Sequence, residues 1–379
     1  MMRPTRREAV TALAGITASC TRREPAAEPP KKAAPLSLSE YAPKSMLVVP
    51  ETKVEKARYP VVDIHTHISW LTAEGLGHQL ALSGKRYYLA PAEEIVKVMD
   101  GLNILGMANV TGGYGASLQE GVDNYDRRFP GRFFTLVEPM FDQVNQSGYA
   151  TMQGDAVEEA HKQGAKGLKI LKSLGMYLRE NVTEGPLIKV DDPRFDPMWE
   201  ACGALRMPVA IHVTDPAAFF YPADRFNERY EEMHQHPDWD FSGKDYPAKM
   251  EVLEARNRVL ARHPKTQFLG LHISNWPEDL GLVSQWMDKY PNLWVEIGAR
   301  IAELGRQPRM ARKFFEKYQD RILFGTDIFA RGKMAADMAS LGRIYPIYYR
   351  FLETEDEYFN YSPGAVGGSG RWRIYGLGL

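Results

Sequence analysis

The chemistry in this chain is carried by histidines and carboxylates placed where strands should end. Tyr59–Trp70 reads Tyr-Pro-Val-Val-Asp-Ile-His-Thr-His-Ile-Ser-Trp. Val61, Val62 and Ile64 supply the β-branched bulk of a buried strand, and His65 and His67 lie at its end. Side chains alternate along a strand, so these two imidazoles share a face and can chelate one metal ion. An isolated His-x-His is more often a pair of ordinary histidines. Here His212, His272 and Asp327 each close a further strand-like run, and Lys169 interrupts another.

The elements that must position these groups alternate regularly. Strand-like runs fall at Tyr59–His67, Met107–Val110, Phe133–Val137, Gly167–Leu171, Pro208–Val213, Thr266–His272, Leu293–Ile297 and Arg321–Phe324. Between them, Pro91–Leu102, Asp155–Gln163, Asp196–Arg206, Lys249–Arg262, Glu278–Tyr290 and Pro308–Tyr318 read as helices, and an eighth helix is expected near Lys333–Leu352. Eight strands with crossover helices predict parallel pairing and closure into a (β/α)8 TIM barrel of the α/β class, forming one catalytic domain. The working end of such a barrel is the carboxyl end of its strands. His65, His67, His212, His272 and Asp327 should therefore meet at one mouth, with Lys169 on the same rim.

Composition narrows the possibilities. The chain has 379 residues, a formal net charge of −1 and 44% hydrophobic residues, as a soluble globular protein should. No basic run occurs outside the first residues, which argues against a nucleic-acid partner. The two cysteines, Cys20 and Cys202, exclude a disulfide framework, so any metal site must be built from histidines and carboxylates.

Residues 1–23 read as a targeting segment, 24–58 as linker and lead-in, and 59–379 as the barrel, with a long insertion at about 215–247. Arg6-Arg7 precede a mildly apolar run, Ala9–Ala18, as in a bacterial twin-arginine export signal. Thr17-Ala18-Ser19-Cys20 is similar to a lipoprotein cleavage site, without the usual leucine. The plain alternative is a disordered basic tail. Export is the expectation, to the periplasm or to a lipid anchor on the membrane, with Glu24–Pro35 as a tether.

Asp63-Ile-His65-Thr-His67, Ile211-His212-Val-Thr, Gly270-Leu-His272 and Phe324-Gly-Thr-Asp327 resemble the amidohydrolase superfamily. The closer resemblance is to its amidohydrolase-related branch, which includes aminocarboxymuconate semialdehyde decarboxylase and resorcylate decarboxylases. It runs from about Pro60 to Asp327. It implies that His65, His67, His212 and Asp327 bind the metal and that His272 acts beside it. Some superfamily members carboxylate a lysine on the fourth strand, which makes Lys169 a candidate ligand. The family's terminal helix has no evident counterpart in the tail, so the barrel floor is expected to be less covered.

A site of this kind suits Zn²⁺ first, with Mn²⁺ and Fe²⁺ as alternatives. Asp327 and His272 are the expected catalytic pair. Asp327 would accept the proton of an attacking water, and His272 would polarise a carbonyl or stabilise an oxyanion. Hydrolysis of an amide, ester or lactone in a small organic substrate is the expected reaction. A non-oxidative decarboxylase on the same scaffold is the alternative, and an exported binding protein without turnover a third. Trp70, just past the His-x-His, and Arg300, after the seventh strand, are the expected substrate contacts; a surface salt bridge is the commoner fate of an arginine. The insertion carries Phe219, Phe220, Tyr221, Phe226, Tyr230, Trp239, Phe241 and Tyr246, an apolar wall or else a self-packed cluster or a homo-oligomer contact.

Overall fold

The computed structural model describes residues 36–37, 41, 43–72, 80, 85–330, 335–363 and 368–379. The leader, with Arg6, Arg7 and Cys20, and most of the tether lie outside the described residues. The chain divides into two compact units, Met1–Met46 and Leu47–Leu379, and the barrel belongs wholly to the second.

Eight parallel strand positions follow one another as expected: β1 Val61–His67, β2 Ile104–Asn109, β3 Phe133–Thr135, β4 Leu168–Ile170, β5 Val209–Ile211, β6 Phe268–Gly270, β7 Leu293–Glu296 and β8 Ile322–Leu323. β8 pairs with β7, while its continuation β9, Ile328–Phe329, pairs with β1. The break between them, Phe324–Asp327, brings Gly325-Thr326-Asp327 to the rim. Two sheets result, β9-β1-β2-β3 and β8-β7-β6-β5-β4.

Backbone hydrogen bonds stitch the sheets into a ring at both seams. Ile64 N donates to Phe324 O at 3.1 Å and Asp327 N to His65 O at 2.8 Å. On the other side Val137 N donates to Gly167 O and Lys169 N to Val137 O. The fold is a (β/α)8 TIM barrel.

The crossover helices are α1 Ala92–Leu102, α2 Ala116–Gly121, α3 Tyr149–Gln163, α4 Asp196–Leu205, α5 Lys249–Arg262, α6 Leu280–Lys289, α7 Pro308–Tyr318 and α8 Ala335–Glu353. α1 and α3 to α7 each bury an apolar stripe. In α1, Ile95, Met99 and Leu102 are buried at helical spacing, and Asn103 stops the helix in the left-handed region at φ 60°. Short strand interiors such as Leu168-Lys169-Ile170 and Val209-Ala210-Ile211 are buried on both faces, as a parallel barrel requires.

β1 is not a regular strand. Its pairing with β2 slips between Asp63 and Thr66, so Ile64 lines the lower barrel with Ala108 and Leu269 while His65, one residue on, also faces inward. Asp63 points instead at the β8 break and α8. It accepts from Thr326 Oγ1 at 2.5 Å and Tyr345 OH at 2.7 Å.

The lead-in is tied to the barrel: Thr52 donates from N and Oγ1 to Asp356, and Ala57 N to Leu102 O. Beyond α8 the described residues contain no further α-helix. Phe359–Asn360 and Arg373–Ile374 pair antiparallel, and Leu377 N and Leu379 N donate back to Phe351 O and Leu352 O.

Candidate active site

His65 and His67 come from the end of β1 and His272 from the turn after β6, and each of these three has its Nδ1 occupied. His65 Nδ1 lies 3.0 Å from Glu296 Oε1, which can only accept when ionised. His67 Nδ1 lies 3.1 Å from Thr111 Oγ1, whose own proton goes to Ser69 O at 2.6 Å. His272 Nδ1 lies 2.7 Å from Gly298 O, an obligate acceptor. All three rings therefore carry hydrogen on Nδ1, which leaves Nε2 as a bare lone pair in the neutral ring.

Those lone pairs converge on a carboxylate. His65 Nε2 is 3.1 Å and His67 Nε2 3.0 Å from Asp327 Oδ1, while His272 Nε2 is 4.0 Å from Asp327 Oδ2. Acceptors facing an acceptor repel unless a proton or a cation lies among them. His65, His67 and Asp327 offer their ligand atoms within reach of one ion, and so the residues fit a metal.

Electrostatics show the same need. Burial opposes a charge on His65, but Asp327 and Glu296 outweigh it and hold the ring above its usual value. Burial pushes His67 down to about 4. His272 is held well below its usual value by burial and by Arg300. Burial alone would raise Asp327, yet His65 and the hydrogen bonds of His65 and His67 keep it well below the usual carboxylate range.

His212 stands one step outside this group. Its ring centroid is 4.4 Å from that of His272, and burial pushes it down to about 4. Its Nε2 is 3.5 Å from Asp215 Oδ1 without the geometry of a hydrogen bond, so a buried polar atom beside the site lacks a hydrogen-bond partner. Asp215 itself is held by Lys172 at 2.5 Å.

Lys169 is fully buried, with Nζ 3.4 Å from His65 Nε2. Burial pushes it down to about 8 against the pull of Asp327, Glu296 and Glu138.

Strain marks the same residues. His272 has φ 57°, Ala299 φ 53° and Asp327 φ 63°, all in the left-handed region that non-glycine residues avoid. Gly298 is required for a different reason: a Cβ there would come within 2.6 Å of Glu296 Oε2 and 3.1 Å of His65 Nδ1. Gly325 likewise leaves room for Glu296 rather than for Asp327.

The amidohydrolase family model matches residues 62–347. This chain belongs to the amidohydrolase family. Among curated proteins none matches it. Among solved structures, the amidohydrolase is similar to 2,6-dihydroxybenzoate decarboxylase from Rhizobium, at 17% identity over 71% of this chain and 88% of that one, with a TM-score of 0.44. A dihydroxybenzoic acid decarboxylase from Polaromonas sp. JS666, with bound manganese and 2-nitroresorcinol, is 16% identical over 71% and 86%, with a TM-score of 0.44. A probable 2-pyrone-4,6-dicarboxylic acid hydrolase from Acinetobacter baumannii is 11% identical over 71% and 84%, with a TM-score of 0.40.

The structure brings the metal-ligand, catalytic and substrate-contact candidates read from the sequence to one pocket: His65, His67, Trp70, Lys169, His212, His272, Arg300 and Asp327 all line it. Phe329 stacks on His67 with centroids 4.5 Å apart, and Trp70 meets Phe329 edge-on at 4.8 Å. Arg300 donates to Ala299 O, and among the described residues no carboxylate pairs with it.

The insertion divides its aromatics. Phe219 and Trp239 line the pocket, Phe241 and Tyr246 pack with Tyr177 and Phe220 packs on Phe241, while Tyr221, Phe226 and Tyr230 are exposed.

Sequence reasoning missed Glu296, Thr111 and Asp215. Glu296 ends β7 by the same criterion that found His212, so a carboxylate closing a strand was an available signal. Thr111 and Asp215 lie in loops and carried none.

Proposed function

We propose that this amidohydrolase is a metal-dependent hydrolase of an amide, ester or lactone in a small organic substrate. The observation that carries the proposal is the meeting of two bare Nε2 atoms with Asp327 Oδ1 at 3.0–3.1 Å. His65, His67 and Asp327 would hold the ion, with His212 as a fourth ligand. Zn²⁺ is the expected metal, and Mn²⁺ or Fe²⁺ suits the same donors. When bound, the ion supplies Lewis acidity towards a substrate oxygen and a water.

The chain's own residues supply the rest. Asp327 turns Oδ1 to the histidines and keeps Oδ2 for the proton of the attacking water. His272 Nε2, bare and 4.0 Å from Oδ2, is placed to receive that proton and deliver it to the leaving group. In its neutral form it accepts rather than donates, so it stabilises an oxyanion only once protonated. Arg300 is placed to take an anionic substrate oxygen, and Trp70, Phe329, Phe219 and Trp239 wall the pocket against water.

One observation favours a carboxy-lyase as second reading. A guanidinium without a carboxylate partner, in a pocket walled by rings, suits a planar carboxylate that is itself the leaving group. Asp327 or His272 would then protonate the carbon. A panel of lactones, esters, amides and aromatic carboxylates in oxygen-18 water or deuterium oxide separates the two. A hydrolase places solvent oxygen in the product acid; a carboxy-lyase releases carbon dioxide and places solvent deuterium on carbon. The arginine pair and apolar run of the leader support export of the enzyme, with Cys20 as the site of a lipid anchor.

A further inference from the structure

His272 is presented by a turn whose handedness its own residues disfavour. His272, Ile273, Ser274 and Asn275 have φ of 57°, 55°, 54° and 60°. Four consecutive residues other than glycine, one of them β-branched, thus occupy the left-handed region. Such a turn persists only where its surroundings over-determine it.

Three anchors belong to the site and its strands. Glu296 Oε1 accepts from His272 N at 2.6 Å, Gly298 O from His272 Nδ1 at 2.7 Å, and Asn275 Oδ1 from Val213 N at 3.2 Å. The fourth comes from outside. Arg256, on α5, is fully buried and donates Nη1 to Ser274 O at 2.6 Å. Its Nε and Nη2 meet Asn257 Oδ1 at 3.2 and 2.8 Å, and its guanidinium lies 4.7 Å from the Trp286 ring.

Among the described residues no carboxylate pairs with Arg256, and burial pushes it down to about 9. A buried cation without a counter-charge is costly. Its neighbour amide and the indole face could be served by an uncharged side chain. The Ser274 carbonyl is bonded by the terminal Nη1 of the long side chain, which a shorter uncharged side chain does not reach.

We infer that Arg256 is a positioning residue: it clamps the left-handed turn after β6 and thereby fixes the ring of His272 in the Nδ1–H form that faces Asp327. The inference rests on the reading that His272 serves the active site. Arg256 touches neither metal ligands nor substrate pocket, and it acts through Ser274.

The test needs no substrate. In ¹⁵N-histidine NMR of the full chain, His272 should show one Nδ1-protonated tautomer with a slowly exchanging proton. Arg256→Met should lose that signal, and Arg256→Met combined with Ser274→Gly should regain it, because glycine holds the left-handed region without a clamp. Trp286→Leu, which removes the stack but not the donor, should keep it.

If Arg256→Met does not fold, Arg256→Gln carries the same comparison, since its amide nitrogen stands at the level of the arginine Nε and can keep the Asn257 bond while stopping short of Ser274 O. An unchanged His272 signal in either single variant overturns the inference, as does equal loss in Trp286→Leu. Metal content measured on the same samples keeps the two readings apart. A wild-type chain that takes up no metal defeats the proposed function, while the His272 signal still decides the role of Arg256.

Discussion

Glu296 Oε1 lies 3.0 Å from His65 Nδ1 and 2.6 Å from the backbone N of His272, so one buried carboxylate at the end of β7 orients groups from β1 and β6. It fixes the hydrogen of His65 on Nδ1, raises the basicity of Nε2 and also receives Gly298 N. Gly298 and Gly325 lack side chains where Glu296 must fit.

Glu296→Gln keeps the volume but turns an amide NH₂ towards donors it cannot satisfy. Metal affinity should weaken by roughly 10–100-fold, the usual cost of losing such a partner. Competition against a chromophoric chelator measures it. Wild-type affinity in a folded Gln variant would show that Glu296 only fills space.

Asp327→Asn retains a ligand oxygen and loses the basic one. Turnover should fall by roughly 10²–10⁴-fold, the range for general acid–base catalysis, while metal content falls much less. His65→Ala should deplete the metal first. Plasma mass spectrometry alongside initial rates separates the two, and near-normal turnover in the Asn variant would reassign the proton to His272.

Lys249 supplies a pH prediction outside the metal ligands. It is buried on α5, donates to Asp215 O, lies 4.8 Å from the Trp276 ring, and burial pushes it down to about 8. Its folded value is below its unfolded one, so between pH 8 and about 10.4 the unfolded chain binds more protons and stability rises with pH. Lys169, also pushed down to about 8, adds a similar rise in the metal-free chain. Urea unfolding at pH 7.5 and 10 should show Lys249→Met losing its share of that rise, up to about 3 kcal/mol. Equal slopes in the two proteins would place the Lys249 ammonium in contact with water.

Ser274→Gly alone should stabilise the chain. The left-handed region costs an L residue about 1–2 kcal/mol, and glycine returns about 0.5–1 kcal/mol of that through its unfolded-state freedom. A net gain of up to about 1 kcal/mol is expected by thermal or urea unfolding; a loss would mean that the Ser274 hydroxyl is bonded in solution.

Export is tested in cells. Replacing Arg6 and Arg7 by lysine should retain the folded enzyme inside, and radiolabelled palmitate should mark Cys20 only if the lipoprotein site is used. Undiminished delivery of the double-lysine chain to the periplasm rules out twin-arginine export.

Local pattern in the sequence determined most of the frame. Strand and helix order, the boundaries of Lys249–Arg262 and Pro308–Tyr318, and the meeting of His65, His67, His212, His272 and Asp327 followed from alternation and from the rule that barrel strands point their ends at one mouth. Tertiary structure alone decided what no periodicity encodes. The slip in β1 admits both Ile64 and His65 to the interior. The break in β8 swings Asp327 to the rim at a positive φ, and the left-handed turn after β6 places His272 where propensity alone would not. Which nitrogen of each histidine is bare depends on Glu296, Thr111 and Gly298, partners far away in sequence, and a hydrogen-bond direction exists only once the acceptor is in place.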